Sequence, residues 1–166
     1  MKKLILSLVA VFTLGFAVQA QDYDFTTGLR VGYGHHSAFA IELSGQAFVN
    51  DISRVELDLG FRFRNHFLDK KNDGIERYYP WGPIITGSYQ WHWFLVGGFG
   101  VYGGPALQFS FPDWRGFSLA AGGQVGFDYQ FDAPFQVSLD FRPIYNFFGG
   151  YRGFDPNVAL GLRYAF

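Results

Sequence analysis

From about residue 25 onward, large apolar side chains recur at every second position, and no segment there repeats with a helical period. In Val55-Glu56-Leu57-Asp58-Leu59-Gly60-Phe61-Arg62-Phe63-Arg64 every odd residue is apolar and every even one is charged or Gly. Phe135-Gln136-Val137-Ser138-Leu139-Asp140-Phe141-Arg142 repeats the pattern. In the final stretch, Val158, Leu160, Leu162, Tyr164 and Phe166 alternate with Ala159, Gly161, Arg163 and Ala165. Successive strand side chains point to opposite faces, so each run has one greasy face and one small or polar face. Such a chain is all-β, and its sheet separates two unlike environments.

Turn-forming residues between these runs divide the chain into eight expected strands, Phe25 to Tyr33, Phe39 to Ala47, Val55 to Arg64, Ile84 to Trp93, Gly100 to Phe111, Phe117 to Phe131, Phe135 to Phe147 and Val158 to Phe166. An even number of strands brings both ends to one side, where the last can close against the first. Connections then alternate between short turns (Asn50 to Ser53, Leu95 to Phe99, Asp132 to Pro134) and longer loops (Gly34 to Ser37, Asn65 to Pro83, Pro112 to Gly116, Gly149 to Asn157). Two prolines sit badly, because a closed barrel has no edge at which a missing N–H is harmless. Pro143 is expected where the seventh strand leaves the membrane, and Pro105, beside Gly103-Gly104, at a bulge.

Lys2 and Lys3 precede an apolar run from Leu4 to about Val18, and Val18-Gln19-Ala20 is a small-residue cleavage site, so residues 1–20 are expected to be a signal peptide and residues 21–166 the mature domain. The run is short for a helical anchor, and acidic Asp22 and Asp24 follow it instead of a basic stop-transfer cluster. With no Cys there is no disulfide framework, thiolate metal site or Cys nucleophile. The 14 Asp and Glu outnumber the 13 Lys and Arg even before the leader's two lysines are removed, which argues against a nucleic-acid partner.

Where the charges lie says which face meets lipid. Outside the leader the only lysines are Lys70 and Lys71, adjacent in an expected loop, whereas a soluble domain scatters Lys over its surface. A soluble lipocalin-type barrel also alternates, with reversed polarity. Here one face collects bulky Leu, Val, Ile and Phe, and aromatics fall at both ends of the strands. Trp91, Trp93, Tyr129 and Tyr164 would form one girdle and Tyr33, Phe111 and Tyr145 the other, as a membrane interface selects.

The inward face gathers Glu42, Glu56, Asp58, Asp128 and Asp140 with Arg30, Arg62, Arg64, Arg142 and Arg163, plus Gln90, His92, Gln108 and Gln124. Charges in so narrow a tube must be paired, and the planar guanidinium fork meets carboxylates well. An eight-stranded barrel is just wide enough to be filled by its own side chains, so a polar plug is expected ahead of a narrow pore. The same charges argue against an apolar acyl-chain pocket in the lumen. Asp69, Asn72, Asp73 and Glu76 cluster in the longest loop but lack the ligand order of an EF-hand, and are expected to be a solvated tip; Tyr78-Tyr79-Pro80-Trp81 beside them suits anchoring at the interface. No metal and no cofactor is expected.

The alternation that ends on Leu160, Leu162, Tyr164 and Phe166 resembles the C-terminal assembly signal of bacterial outer membrane β-barrels. The whole pattern resembles the small eight-stranded barrels of the outer membrane protein A and X class. Segments such as Arg54-Val55-Glu56-Leu57-Asp58-Leu59-Gly60, Gly87-Ser88-Tyr89-Gln90-Trp91 and Gly103-Gly104-Pro105 are similar to those of a group of short outer membrane barrels. The resemblance implies an eight-stranded antiparallel up-and-down transmembrane β-barrel in the bacterial outer membrane, with both termini periplasmic. Its partners would be outer membrane lipid and lipopolysaccharide, with the barrel-insertion machinery and periplasmic chaperones during assembly. Loops 65–83 and 149–157 would face any partner outside the cell. The matching segments mark architecture rather than activity, and the role expected is structural or surface-interacting and non-enzymatic. His35 and Ser37 have the His-x-Ser spacing of outer membrane lipid A deacylases, which makes a lipid A-modifying enzyme the alternative. A triad would also need an orienting acid, and the nearest, Glu42, faces the lumen.

Overall fold

The computed structural model describes residues 24–34, 39–63, 82–112, 116–149 and 152–166. They form eight strands: β1 (Phe25–Gly34), β2 (Phe39–Asn50), β3 (Ser53–Phe63), β4 (Gly82–Val96), β5 (Phe99–Ser110), β6 (Ser118–Gln130), β7 (Phe135–Phe148) and β8 (Gly153–Ala165). Each pairs antiparallel with its neighbours in chain order, and β1 pairs with β8 to close a barrel. The closing seam runs from Thr26 opposite Ala165 to Gly34 opposite Asn157, and the Phe166 N–H donates to the Phe25 carbonyl at 2.8 Å.

Side chains sort by parity as the alternation demands. Leu29, Leu43, Leu57, Leu160 and Leu162 are more than half exposed on the outside, while Arg30, Glu42, Asp58, Asp140 and Arg163 are buried inside. This inverts the distribution of a water-soluble protein, and such an exterior suits hydrocarbon. Tyr33 and Tyr145 lie exposed near the loop end of the barrel, with Trp91, Trp93 and Tyr129 near the turn end. Tyr164 departs from the simple pattern: the rings of Phe135 and Phe166, 5.5 and 4.9 Å away between centroids, cover it.

Boundaries differ from expectation mainly at β8, which begins at Gly153, so most of the expected 149–157 loop is strand. Asp155-Pro156-Asn157 has turn-forming composition, but Asp155 and Asn157 face inward and find partners there. The β4–β5 turn narrows to Gly97-Gly98, both at positive φ (56° and 79°), the two-residue geometry whose twist matches a hairpin and which glycine adopts without strain.

Pro143 is not at a strand end, since β7 continues to Phe148 and Pro143 faces Pro156 in mid-strand. Nor is Pro105 a bulge: the β4–β5 register is the same on both sides of it, Ser88 opposite Ala106 and Trp91 opposite Gly103. Glycine instead lets neighbouring backbones close up. At inward-facing Gly28, Gly60, Gly104 and Gly122 a carbonyl of the adjoining strand lies 1.9–2.5 Å from where a Cβ would stand, closer than any side chain permits. These four contacts fall on the seams β8/β1, β2/β3, β4/β5 and β6/β7.

Candidate functional site

The lumen holds the only dense assembly of polar chemistry among the described residues. Glu56 of β3 is its hub. Its carboxylate accepts hydrogen bonds from Arg163 Nη2 (3.0 Å), Gln46 Nε2 (3.0 Å), Gln90 Nε2 (2.5 Å), Ser44 Oγ (3.3 Å) and Gln124 Nε2 (3.4 Å). Five donors from four other strands thus converge on one group, which water would otherwise have to solvate.

Around this hub each arginine ties strands together across the tube. Arg30 of β1 donates to Glu42 of β2, to Asp140 Oδ1 of β7 at 2.6 Å and to Asn157 Oδ1 of β8 at 3.0 Å. Arg142 of β7 reaches Asp58 of β3 at 2.5 Å and Gln124 of β6 at 2.9 Å. Arg163 of β8 also donates to Ser44 and Ser138. Toward the loop end, Arg62 donates to Asp155 at 2.7 Å.

A second group lies toward the turn end. Arg54 donates to Asp128 (2.7 Å) and Gln90 (2.6 Å), and its guanidinium carbon sits 4.2 Å from the centre of the Tyr102 ring. His92 Nε2 lies 2.9 Å from Asp128 Oδ1, and Gln136 Nε2 donates to Asp128 at 3.4 Å. Phe94 packs edge-on against the His92 ring, with centroids 4.4 Å apart. The Asp128–His92 pair has the acid and base of a hydrolytic triad but no nucleophile on His92: Nδ1 has no hydrogen-bond partner. Ser44 Oγ accepts from Arg163 and donates to Glu56, so it is held by charges and not by a base. No three His, Asp or Glu side chains among the described residues are grouped to hold a metal ion.

Of the residues the alternation places inward, Arg30, Glu42, Glu56, Asp58, Arg62, Gln90, His92, Gln108, Gln124, Asp128, Asp140, Arg142 and Arg163 are all buried in the lumen. Gln108 is the least connected of them, accepting only from Thr86 at 3.4 Å and leaving Nε2 without a partner. Arg64, His35, Ser37 and the loop residues from Asn65 to Trp81 lie outside the described residues. The sequence reading missed Arg54, Asp155 and Asn157. Arg54 has the parity of Glu56 and falls one residue before the expected strand start, so extending the alternation by one step would have found it.

With these three included, the described lumen holds five arginines against six carboxylates, all buried. The contributions are uneven. β5 places Gly100, Tyr102, Gly104, Ala106, Gln108 and Ser110 inward and carries no charged side chain at all.

No protein-family model matches the chain, and no curated protein is similar to it. Solved structures are. Neisserial surface protein A aligns with a TM-score of 0.61 at 15% identity, over 86% of this chain and 96% of that one. The N-terminal β-barrel domain of Pseudomonas aeruginosa OprF aligns with a TM-score of 0.57 at 17% identity, over 88% of this chain and all of that one. A de novo designed transmembrane β-barrel aligns with a TM-score of 0.58 at 11% identity, over 90% and 100%. At such identities the likeness concerns the fold. This chain has the closed, eight-stranded, up-and-down architecture of small outer membrane β-barrels.

Proposed function

We propose that the protein is a non-enzymatic integral barrel of the bacterial outer membrane, with a structural or surface-interaction role and a lumen sealed by its own side chains. The observation that carries the sealed lumen is the complete burial of Arg30, Arg54, Arg142 and Arg163 together with the carboxylates they bind. An arginine lining a hydrated pore keeps part of its guanidinium in water; these four do not. The apolar exterior with aromatics at both ends supports residence in a bilayer. In this reading residues 1–20 are a cleaved leader, both ends of the barrel domain are periplasmic, and the loops around 65–83 and 149–152 face the cell exterior. Leu160, Leu162, Tyr164 and Phe166 are what the insertion machinery reads.

Planar-bilayer recording on the purified, refolded barrel tests the seal. The expected trace has no steady single-channel conductance, and a stable open level in most insertions would overturn the plugged lumen. Membrane fractionation of cells expressing the full chain tests the location, with recovery in the inner membrane as the contrary result.

A further inference from the structure

Two prolines remove one ladder hydrogen bond each from two different seams, at the same level of the wall. Antiparallel strands exchange hydrogen bonds at every second residue pair, so one known bond fixes the phase of a seam. The Phe111 N–H donates to the Pro83 carbonyl at 3.0 Å, which places Tyr89 and Pro105 at a hydrogen-bonding pair of β4 and β5. The Phe131 N–H donates to the Phe135 carbonyl at 3.0 Å, which does the same for Gly123 and Pro143 of β6 and β7. Proline has no N–H, so neither the Tyr89 nor the Gly123 carbonyl receives its ladder donor. The ladders lapse there without losing register, from Ser88–Ala106 to Trp91–Gly103 and from Gly122–Ile144 to Val125–Phe141. Between the gaps the β5–β6 ladder is continuous, and Pro105 lies directly opposite Gly123.

The loop-side half of the β5–β6 hairpin, Ala106–Ser110 with Ser118–Gly122, is therefore bounded at its base by a gap on each edge. It is also the part of the wall least tied to the lumen, because no charged side chain on either stretch reaches the arginine–carboxylate network. On its lumen side Gln108 of the half-hairpin and Asn146 of the adjoining β7 flank Ala120 in one cross-strand row, and each leaves its buried amide nitrogen without a partner. We propose that this half-hairpin is a movable section of the wall, opening the lumen sideways to the bilayer along the β4/β5 and β6/β7 seams. What it would admit is a lipid-borne oxygen acceptor, such as an ester carbonyl, to the free amide nitrogens of Gln108 and Asn146.

Amide hydrogen exchange measured by NMR on the whole barrel domain in lipid nanodiscs reads the motion. Tyr89, Leu107 and Gly123 should exchange at least about tenfold faster than Leu43 and Leu59, which pair in the continuous part of the β2–β3 ladder, from Phe39–Phe63 to Phe48–Arg54. Pro105→Ala and Pro143→Ala, which restore a donor, should each slow exchange at their own seam about three- to tenfold. Should either variant fail to fold, a Ser88→Cys/Ala106→Cys pair supplies the same test, since the chain has no other Cys and the two residues are opposite each other at the edge of the gap. Closing that disulfide should slow exchange at Tyr89 and Leu107. Lipids with a nitroxide on the acyl chain should broaden the side-chain amide signals of Gln108 and Asn146, and less so in the restored variants. Seam exchange as slow as at Leu43 and Leu59 would overturn the moving wall. Fast exchange without broadening would overturn the lateral route.

Discussion

Gly104 and Gly87 look alike in the sequence, both in strand and both beside the Ser88–Gln90 stretch or its partner, yet the wall treats them in opposite ways. A Cβ on Gly104 would stand 1.9 Å from the Tyr89 carbonyl oxygen, whereas one on Gly87 would meet nothing within 4 Å. Gly104→Ala should lower barrel stability by at least about 2 kcal/mol, or block folding, because backbone on a neighbouring strand must shift. Gly87→Ala should be nearly neutral, and urea unfolding followed by tryptophan emission compares the two. Glu56 sets a second residue-scale expectation. Removing it leaves Arg163 buried without its carboxylate, so Glu56→Ala should cost about 3–5 kcal/mol, the range for breaking one partner of a buried pair. The inward parity of Glu56, Asp58, Arg142 and Arg163 was legible in the sequence because period-2 alternation fixes which face a residue takes. Which carboxylate each arginine would choose was not, since Arg142 and Asp58 lie 84 residues apart on opposite strands and meet only through barrel closure.

At the level of the strand, β8 shows both the reach of pattern reading and its failure. Val158 to Phe166 alternates cleanly and was read as strand, but the five residues before it contain Asp, Pro and Asn in succession, which locally favour a turn. Tertiary partners override that preference: Asp155 meets Arg62, and Asn157 accepts from Arg30. Asp155→Ala should therefore loosen the loop end of β8 selectively, seen as faster amide exchange at Gly153 to Asn157 with little change near Leu162. The other end of β8 is held by the closing bond from Phe166 to Phe25 and by ring contacts with Phe25 and Tyr164. Phe166→Ala should reduce the fraction of chains that acquire the compact, heat-modifiable mobility of a folded barrel on gels. The correctly inserted remainder should unfold at nearly the wild-type denaturant concentration.

For the whole molecule, the charges that would normally sit in water are inside and the apolar groups outside, so the usual dependence on salt should vanish. Buried pairs are little screened, and raising ionic strength from about 0.1 to 1 M should leave the thermal unfolding temperature in detergent essentially unchanged. A drop of several degrees would mean that water and ions reach the network. The strand count, the closure and the polarity of the two faces were open to inference from composition and alternation. How closely neighbouring backbones approach was not, because it depends on which carbonyls of one strand face glycines of the next. Those four approaches occur at the three seams closed by short turns and at the closing seam, and Gly98, in the β4–β5 turn, makes a further one at 2.2 Å against the Gln130 carbonyl of β6. The barrel is also four hairpins set side by side, β1–β2, β3–β4, β5–β6 and β7–β8, each joined by its own outer connection. A connection exchanged or lengthened on one hairpin leaves the strand pairing of the other three untouched, which makes the four outer connections separately replaceable cargo positions on a single frame.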